Sequence, residues 1–244
     1  ETADPHDRHI DLPGQLAGAA ALGGLVFAAI DGHQGGHAWI VALAVAALAL
    51  PAFLVLERRA GRAALVPLEL FRNRSFCGAI AATASMTFGI YGMIFLLPLV
   101  WQASGALSPV AAGLALMPCA VVFFLLSPRS GHLAQRFGIR AVTAGGTAII
   151  GCGLLVLAGT QAGEPLTLAA VGLAATGVGM GLNTGPLMSV AVDSVTAARS
   201  GTASALINVA RMVGATLGVA CLGAVFALCH GGAPGLRAAM LAGG

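Results

Sequence analysis

The stretch SGTASALINVARMVGATLGVACLGAVFALC, residues 200–229, is apolar or small almost throughout, yet Arg211 sits a third of the way in. A helix needs about 20 largely apolar residues to cross a bilayer, and this stretch supplies them. Inside lipid the backbone must satisfy itself, so a long apolar run is read as a helix. The rest of the chain has the same character. Of its 244 residues, 58% are hydrophobic and 9% charged, against about 25% charged in a soluble domain. The mean hydropathy is +0.92. A soluble fold could not keep so much apolar sequence off its surface. The composition therefore predicts an all-α integral membrane protein, a helical bundle.

Seven runs meet the length requirement: 12–30, 38–56, 76–100, 110–127, 141–160, 165–191 and 202–228. They do not alternate, which excludes a strand barrel. The charges test the count. With residue 1 placed in the cytosol, the inner segments are 1–11, 57–75, 128–140 and 192–201, and they hold ten of the twelve arginines. The outer loops hold only Arg237, and Arg211 alone lies within a span. This is the positive-inside pattern, and miscounting by one span would scramble it. It places the chain in the plasma (inner) membrane as a multi-pass protein. Residues 229–244 read as an outer loop and the start of one more helix. With no initiating Met and an abrupt close, both ends are expected to belong to a longer protein.

Arg211 lies about 14 Å inside its span at ~1.5 Å per residue. A charge at that depth is expected to face a bundle interior or wet cavity, although a purely structural arginine bonded between helices satisfies the same sequence. Asn208, three positions earlier, is expected on the same face. Asn183 and Thr184, in GMGLNTGPLMS, stand at similar depth beside the helix-weakening pair Gly185 and Pro186. Pro51, Pro98 and Pro118 are further candidate kinks. Tyr91 is either interfacial or pore-lining. Gly14/Gly18, Gly177/Gly181/Gly185 and Gly214/Gly218 are spaced for close helix packing. All nine acidic residues fall at span ends or in loops, so any proton-carrying carboxylate is expected outside this chain, the alternative being that Asp31 or Asp193 does more than cap a helix.

Other chemistries are disfavoured. A charge of +3 and no basic stripe interleaved with aromatics argue against nucleic acid. The five cysteines show no CxxC or zinc spacing and read as small core residues. His33, His37 and Asp31 do not make a full ligand set, so no metal is expected. No phosphate loop or readable triad occurs, no cofactor is expected, and a membrane enzyme or scaffold is the weakest of the alternatives.

GHLAQRFGIR (131–140) resembles the glycine- and arginine-rich loop of major facilitator superfamily transporters, with Gly131, Leu133, Ala134, Arg136, Gly138 and Arg140 matching. Gln135 stands where the family pattern has aspartate. RSGTASALINVARMVGATLGVA, PLELFRNRSF and LPLVWQASGALSPVAAGLALMP are similar to the fourteen-span drug:proton antiporter branch. The resemblance implies the C-terminal half of that fold plus two extra linker helices. Residues 1–11 would be a cytosolic linker, 12–56 the extra pair, 57–75 a cytosolic loop, and 76–228 the first five helices of the C-terminal six. It implies proton-coupled export of a small amphipathic compound by alternating access. Tyr91, Asn183, Thr184, Asn208 and Arg211 would lie on cavity helices, and Gly131, Arg136, Gly138 and Arg140 in a gating loop. Export of one specific metabolite or antibiotic is the first alternative. Cysteines placed at Arg72 or Arg136 should react with an impermeant thiol reagent from the cytosolic side alone; periplasmic labelling would contradict the topology.

Overall fold

The computed structural model describes residues 12–31, 37–60, 68–160 and 166–244. Among them the regular structure is entirely helical. In chain order the helices are α1 (Leu12–Asp31), α2 (Ala38–Ala60), α3 (Arg74–Ala103), α4 (Pro109–Ala115), α5 (Met117–Phe137), α6 (Ile139–Ala158), α7 (Thr167–Asp193), α8 (Ser200–Leu228) and α9 (Gly232–Gly243). Among the described residues six spans are long and apolar enough to cross a membrane, with α4 and α5 counted as one; the apolar part of α1, Leu12–Ala28, is shorter. Leu48, Val110 and Phe124 are 74%, 74% and 75% exposed. Apolar surface on that scale needs lipid to cover it.

Three boundaries differ from the sequence reading. The fourth run breaks at Leu116, where Pro118 offers no N–H to the preceding turn and the Cys119 N–H turns to the Leu116 carbonyl (3.1 Å). The segment 128–140, expected as a gating loop, is helical except at Gly138: α5 runs on to Phe137 and α6 begins at Ile139. Gly138, at φ 86°, makes the whole turn, a conformation that glycine adopts without a Cβ penalty. Likewise α2 continues through Leu56-Glu57-Arg58-Arg59, all good helix formers and none of them β-branched. Glu57, expected in a loop, is therefore inside α2 and 2% exposed.

One end of the bundle collects the arginines: Arg58 and Arg59 close α2, Arg136 closes α5, Arg140 opens α6 and Arg199 precedes α8. At this basic end Asn73 caps α3 through its Oδ1, accepting from Ser75 N (2.9 Å), while its Nδ2 donates to the Ser194 carbonyl (3.0 Å). Arg199 donates to Glu69 at 3.1 Å across the same corner. Both side chains are solvent-facing, so this pair aligns the corner more than it stabilises it.

The central packing is backbone on backbone. Helices α3 and α8 run parallel in a steady register: a Cβ on Gly214 would strike the Ala84 carbonyl and Thr87 Oγ1, and one on Gly218 the Phe88 carbonyl. The second glycine stripe seats α7 on α5, with Gly177 against the Cys119 carbonyl, Gly181 against Leu126 and Gly185 against Ser130. In the first, a Cβ on Gly18 would stand 3.4 Å from the Phe53 ring of α2. Small residues exchange side-chain volume for close contact, which substitutes for a hydrophobic drive that lipid does not provide. Gly218→Ala should therefore cost about 1–3 kcal/mol and lower the melting temperature by several degrees. Gly113→Ala, with open space at its Cβ, should not. Equal melting of the two would contradict this packing.

Candidate functional site

Near the basic end, Phe76 and Ala79 of α3, Leu187 and Ala191 of α7, and Ala203 and Ile207 of α8 form one buried cluster. Helices α3 and α8 leave this cluster toward the membrane middle, and α7 approaches from the opposite direction. One turn inward, the positions that continue these rows are Thr83, Arg211 and Thr184. They stand about 14–16 Å from the basic ends of their helices at ~1.5 Å per residue, near the middle of a hydrocarbon layer about 30 Å thick.

The row on α3 then continues Ala79, Thr83, Thr87, Tyr91 at four-residue spacing. Thr83 and Thr87 are 1% and 0% exposed. Thr87 Oγ1 bonds to the Thr83 carbonyl (2.9 Å) and abuts Gly214, which sets this row against the turn of α8 that follows Arg211. Thr184 Oγ1 donates to the Met180 carbonyl (2.8 Å). Tyr91 is half-buried against the larger core cluster around Met93, Leu97 and Leu173. Two polar atoms in this layer are buried without a hydrogen bond: Thr83 Oγ1 and Arg211 Nε. Thr83 went unnoticed in the sequence, although the four-residue spacing of threonines ahead of Tyr91 was a readable signal.

Two expected members are elsewhere. Asn183, expected on the cavity wall, is fully buried against α6, where its amide bonds the Thr147 hydroxyl (3.1 Å). The amide orientation that satisfies both of its ends donates to the Thr143 carbonyl (3.0 Å) and still meets Thr147. The cause is the close approach of Gly146 to Gly179, which draws α6 and α7 together around this side chain. Asn208, expected to share a face with Arg211, is exposed, bonds the Ser204 carbonyl (3.1 Å) and lines a groove of about 460 Å³ against Leu22, Gly23 and Val26 of α1. Arg211 continues the buried row Ala203–Ile207, whereas Asn208 begins the outer row continued by Met212 and Thr216.

The residues expected to gate lie at the basic surface. Arg136 stacks over the Phe137 ring at 5.4 Å, Gly131 is exposed at the end of α5, and Arg140 lines a groove of about 1220 Å³ between α3 and α6. That groove contains neither Arg211 nor Tyr91; it lies in line with the end of α9, at Gly244. His33 and the Asp31 side chain are outside the described residues, and among those described no set of three metal-ligating side chains occurs.

Residues 14–219 match the family model described as Major Facilitator Superfamily. The chain is 36% identical to "Multidrug resistance protein Stp" of Mycobacterium tuberculosis, over 93% of this chain and 42% of the relative. It is 32% identical to "Probable actinorhodin transporter" of Streptomyces coelicolor, over 88% and 39%. It is 30% identical to "Tetracenomycin C resistance and export protein" of Streptomyces glaucescens, over 87% and 40%. The chain thus spans about two-fifths of the length of these curated relatives.

Asn183→Ala should lower stability by about 1–3 kcal/mol, the cost of a lost buried bond, whereas Asn208→Ala should stay within about 0.5 kcal/mol. Thermal melting of the two variants in the same detergent decides it; the reverse order would contradict these assignments.

Proposed function

Because the chain belongs to the major facilitator superfamily, a family of transporters rather than enzymes, we propose that it forms the C-terminal part of a proton-coupled exporter of small amphipathic drugs. The observation that carries this reading is the mid-depth polar layer of Thr83, Thr184 and Arg211, with Tyr91 above it, inside an otherwise apolar bundle. A few polar groups in an apolar wall orient a ligand without holding it too tightly to leave. The names of the relatives support drug export as the task.

On this reading α1 and α2 are the extra helices, and α3 to α8 form the first five spans of the second six-helix half. Helix α9 opens the sixth, whose continuation would occupy the groove between α3 and α6. The basic end faces the cytosol, so α1 starts there. The two halves rock about a midplane site and expose it to one side at a time. Arg136 and Arg140, exposed around the one-residue turn at Gly138, would meet the opposing half when the cytosolic side is closed. The described carboxylates (Glu57, Glu69 and Asp193) all stand near the basic end. Proton transfer at mid-depth is therefore assigned to the opposing half.

A narrower reading, export of one compound, is favoured by two relatives named for single antibiotics. Cells lacking their own exporters and carrying the full-length protein should extrude ethidium when energised and stop on adding a protonophore. They should also resist several chemically unrelated drugs. Resistance to one compound alone would select the narrower reading, and unchanged ethidium retention with no resistance would contradict export.

A further inference from the structure

We infer that Arg211 and the hydroxyl of Thr83 form a carboxylate-binding point at the middle of the bundle. The inference rests on the transport reading above and adds the chemistry that this layer recognises. A guanidinium has donors only, set in a planar fork that fits a carboxylate. Arg211 Nε is buried and bonds to nothing among the described residues. Thr83 Oγ1 is in the same condition, in a side chain 1% exposed. Its neighbours differ: Thr87 and Thr184 give their hydroxyl protons to carbonyls of their own helices. The layer therefore holds two unused donors from two helices fixed in register by Gly214 and Gly218.

What is missing is an acceptor of opposite charge. The described carboxylates belong to α2, to the 3₁₀ turn Leu68–Arg72 and to the end of α7, and none continues the buried rows at mid-depth. A cation at the membrane middle is costly until it is paired, and a buried charge without its partner costs more than the pair returns. The acceptor has two sources, a carboxylate on the transported compound or an acidic side chain of the opposing half. Either would complete the fork with the Thr83 hydroxyl as an additional donor.

The test uses the full-length transporter in proteoliposomes under a proton gradient, with a matched dye pair: rhodamine 110, which carries a free carboxyl, and its methyl ester, rhodamine 123. If the compound supplies the carboxylate, Arg211→Gln should cut rhodamine 110 flux at least about tenfold and Thr83→Val about three- to tenfold, the loss expected for a charge-assisted hydrogen bond. Rhodamine 123 flux should then stay within twofold. If the opposing half supplies it, Arg211→Gln should cut both dyes alike. Neutralising that half's carboxylates one at a time, Asp→Asn or Glu→Gln, should then restore at least half of the flux at a single position. Melting temperatures of reconstituted protein identify misfolded variants, and Arg211→Lys with Thr83→Val replaces Arg211→Gln if it does not fold. Wild-type flux of both dyes in the variants, or equal loss that no neutralisation restores, would overturn the inference. A wild-type protein that moves neither dye but extrudes ethidium is read on ethidium through the second arm. One that moves nothing contradicts the transport reading instead.

Discussion

The contact between α3 and α8 organises this bundle. Gly214 and Gly218 let one backbone lie directly on the carbonyls of Ala84 and Phe88. In lipid such a contact is stabilised by dispersion and close fit, since no hydrophobic gain separates two helices from acyl chains. Once the register is set, it dictates which side chains lie on the inner side of the pair. Four residues before Ala215 and three before Gly214, Arg211 follows the buried row Ala203–Ile207. Thr83 follows Ala79 in the same way. The polar layer is a consequence of glycines that touch none of its ligands.

A second consequence concerns α7. Its glycine stripe faces α5, and its Gly179 faces Gly146 of α6. The remaining face, with Met180, Thr184, Leu187 and Ala191, is left for α3 and α8. One helix thus carries three different jobs at adjacent positions. Asn183 ties it to α6, Thr184 donates to the Met180 carbonyl of its own helix, and Gly185 meets Ser130. This division explains why two neighbouring polar residues, read together in the sequence, part company in the structure.

The order of the helices was legible from apolar length, although the first run is shorter than a span and the fourth is split, and the gathering of the arginines at one end from simple position. Both follow from a solvent that punishes exposed backbone and charge at every residue. Arg211 was equally legible, because a guanidinium as the one charge in a stretch of small and apolar residues has no ordinary explanation. What the sequence concealed were rotations and continuations. Asn208 is only three positions from Arg211, yet the face that each presents depends on where α3 lies. The helix through 128–137 continues past the apolar run because Leu133, Ala134, Gln135 and Arg136 favour helix without being lipid-soluble. Glu57 was misplaced for the same reason. Thr83 was marked only by its spacing from Thr87 and Tyr91, because a threonine in an apolar helix normally bonds its own backbone, and here its hydroxyl is unbonded.

The central claim is that the guanidinium of Arg211 faces inward between α3, α7 and α8 and away from lipid. A nitroxide attached at position 211 of the full-length protein in bilayers measures this directly through its collision rates with oxygen and with a water-soluble nickel chelate. The account predicts low oxygen access and a chelate collision rate above that of a label at Leu48 of α2, 74% exposed. Oxygen access as high as at Leu48, with no chelate contact, would contradict it.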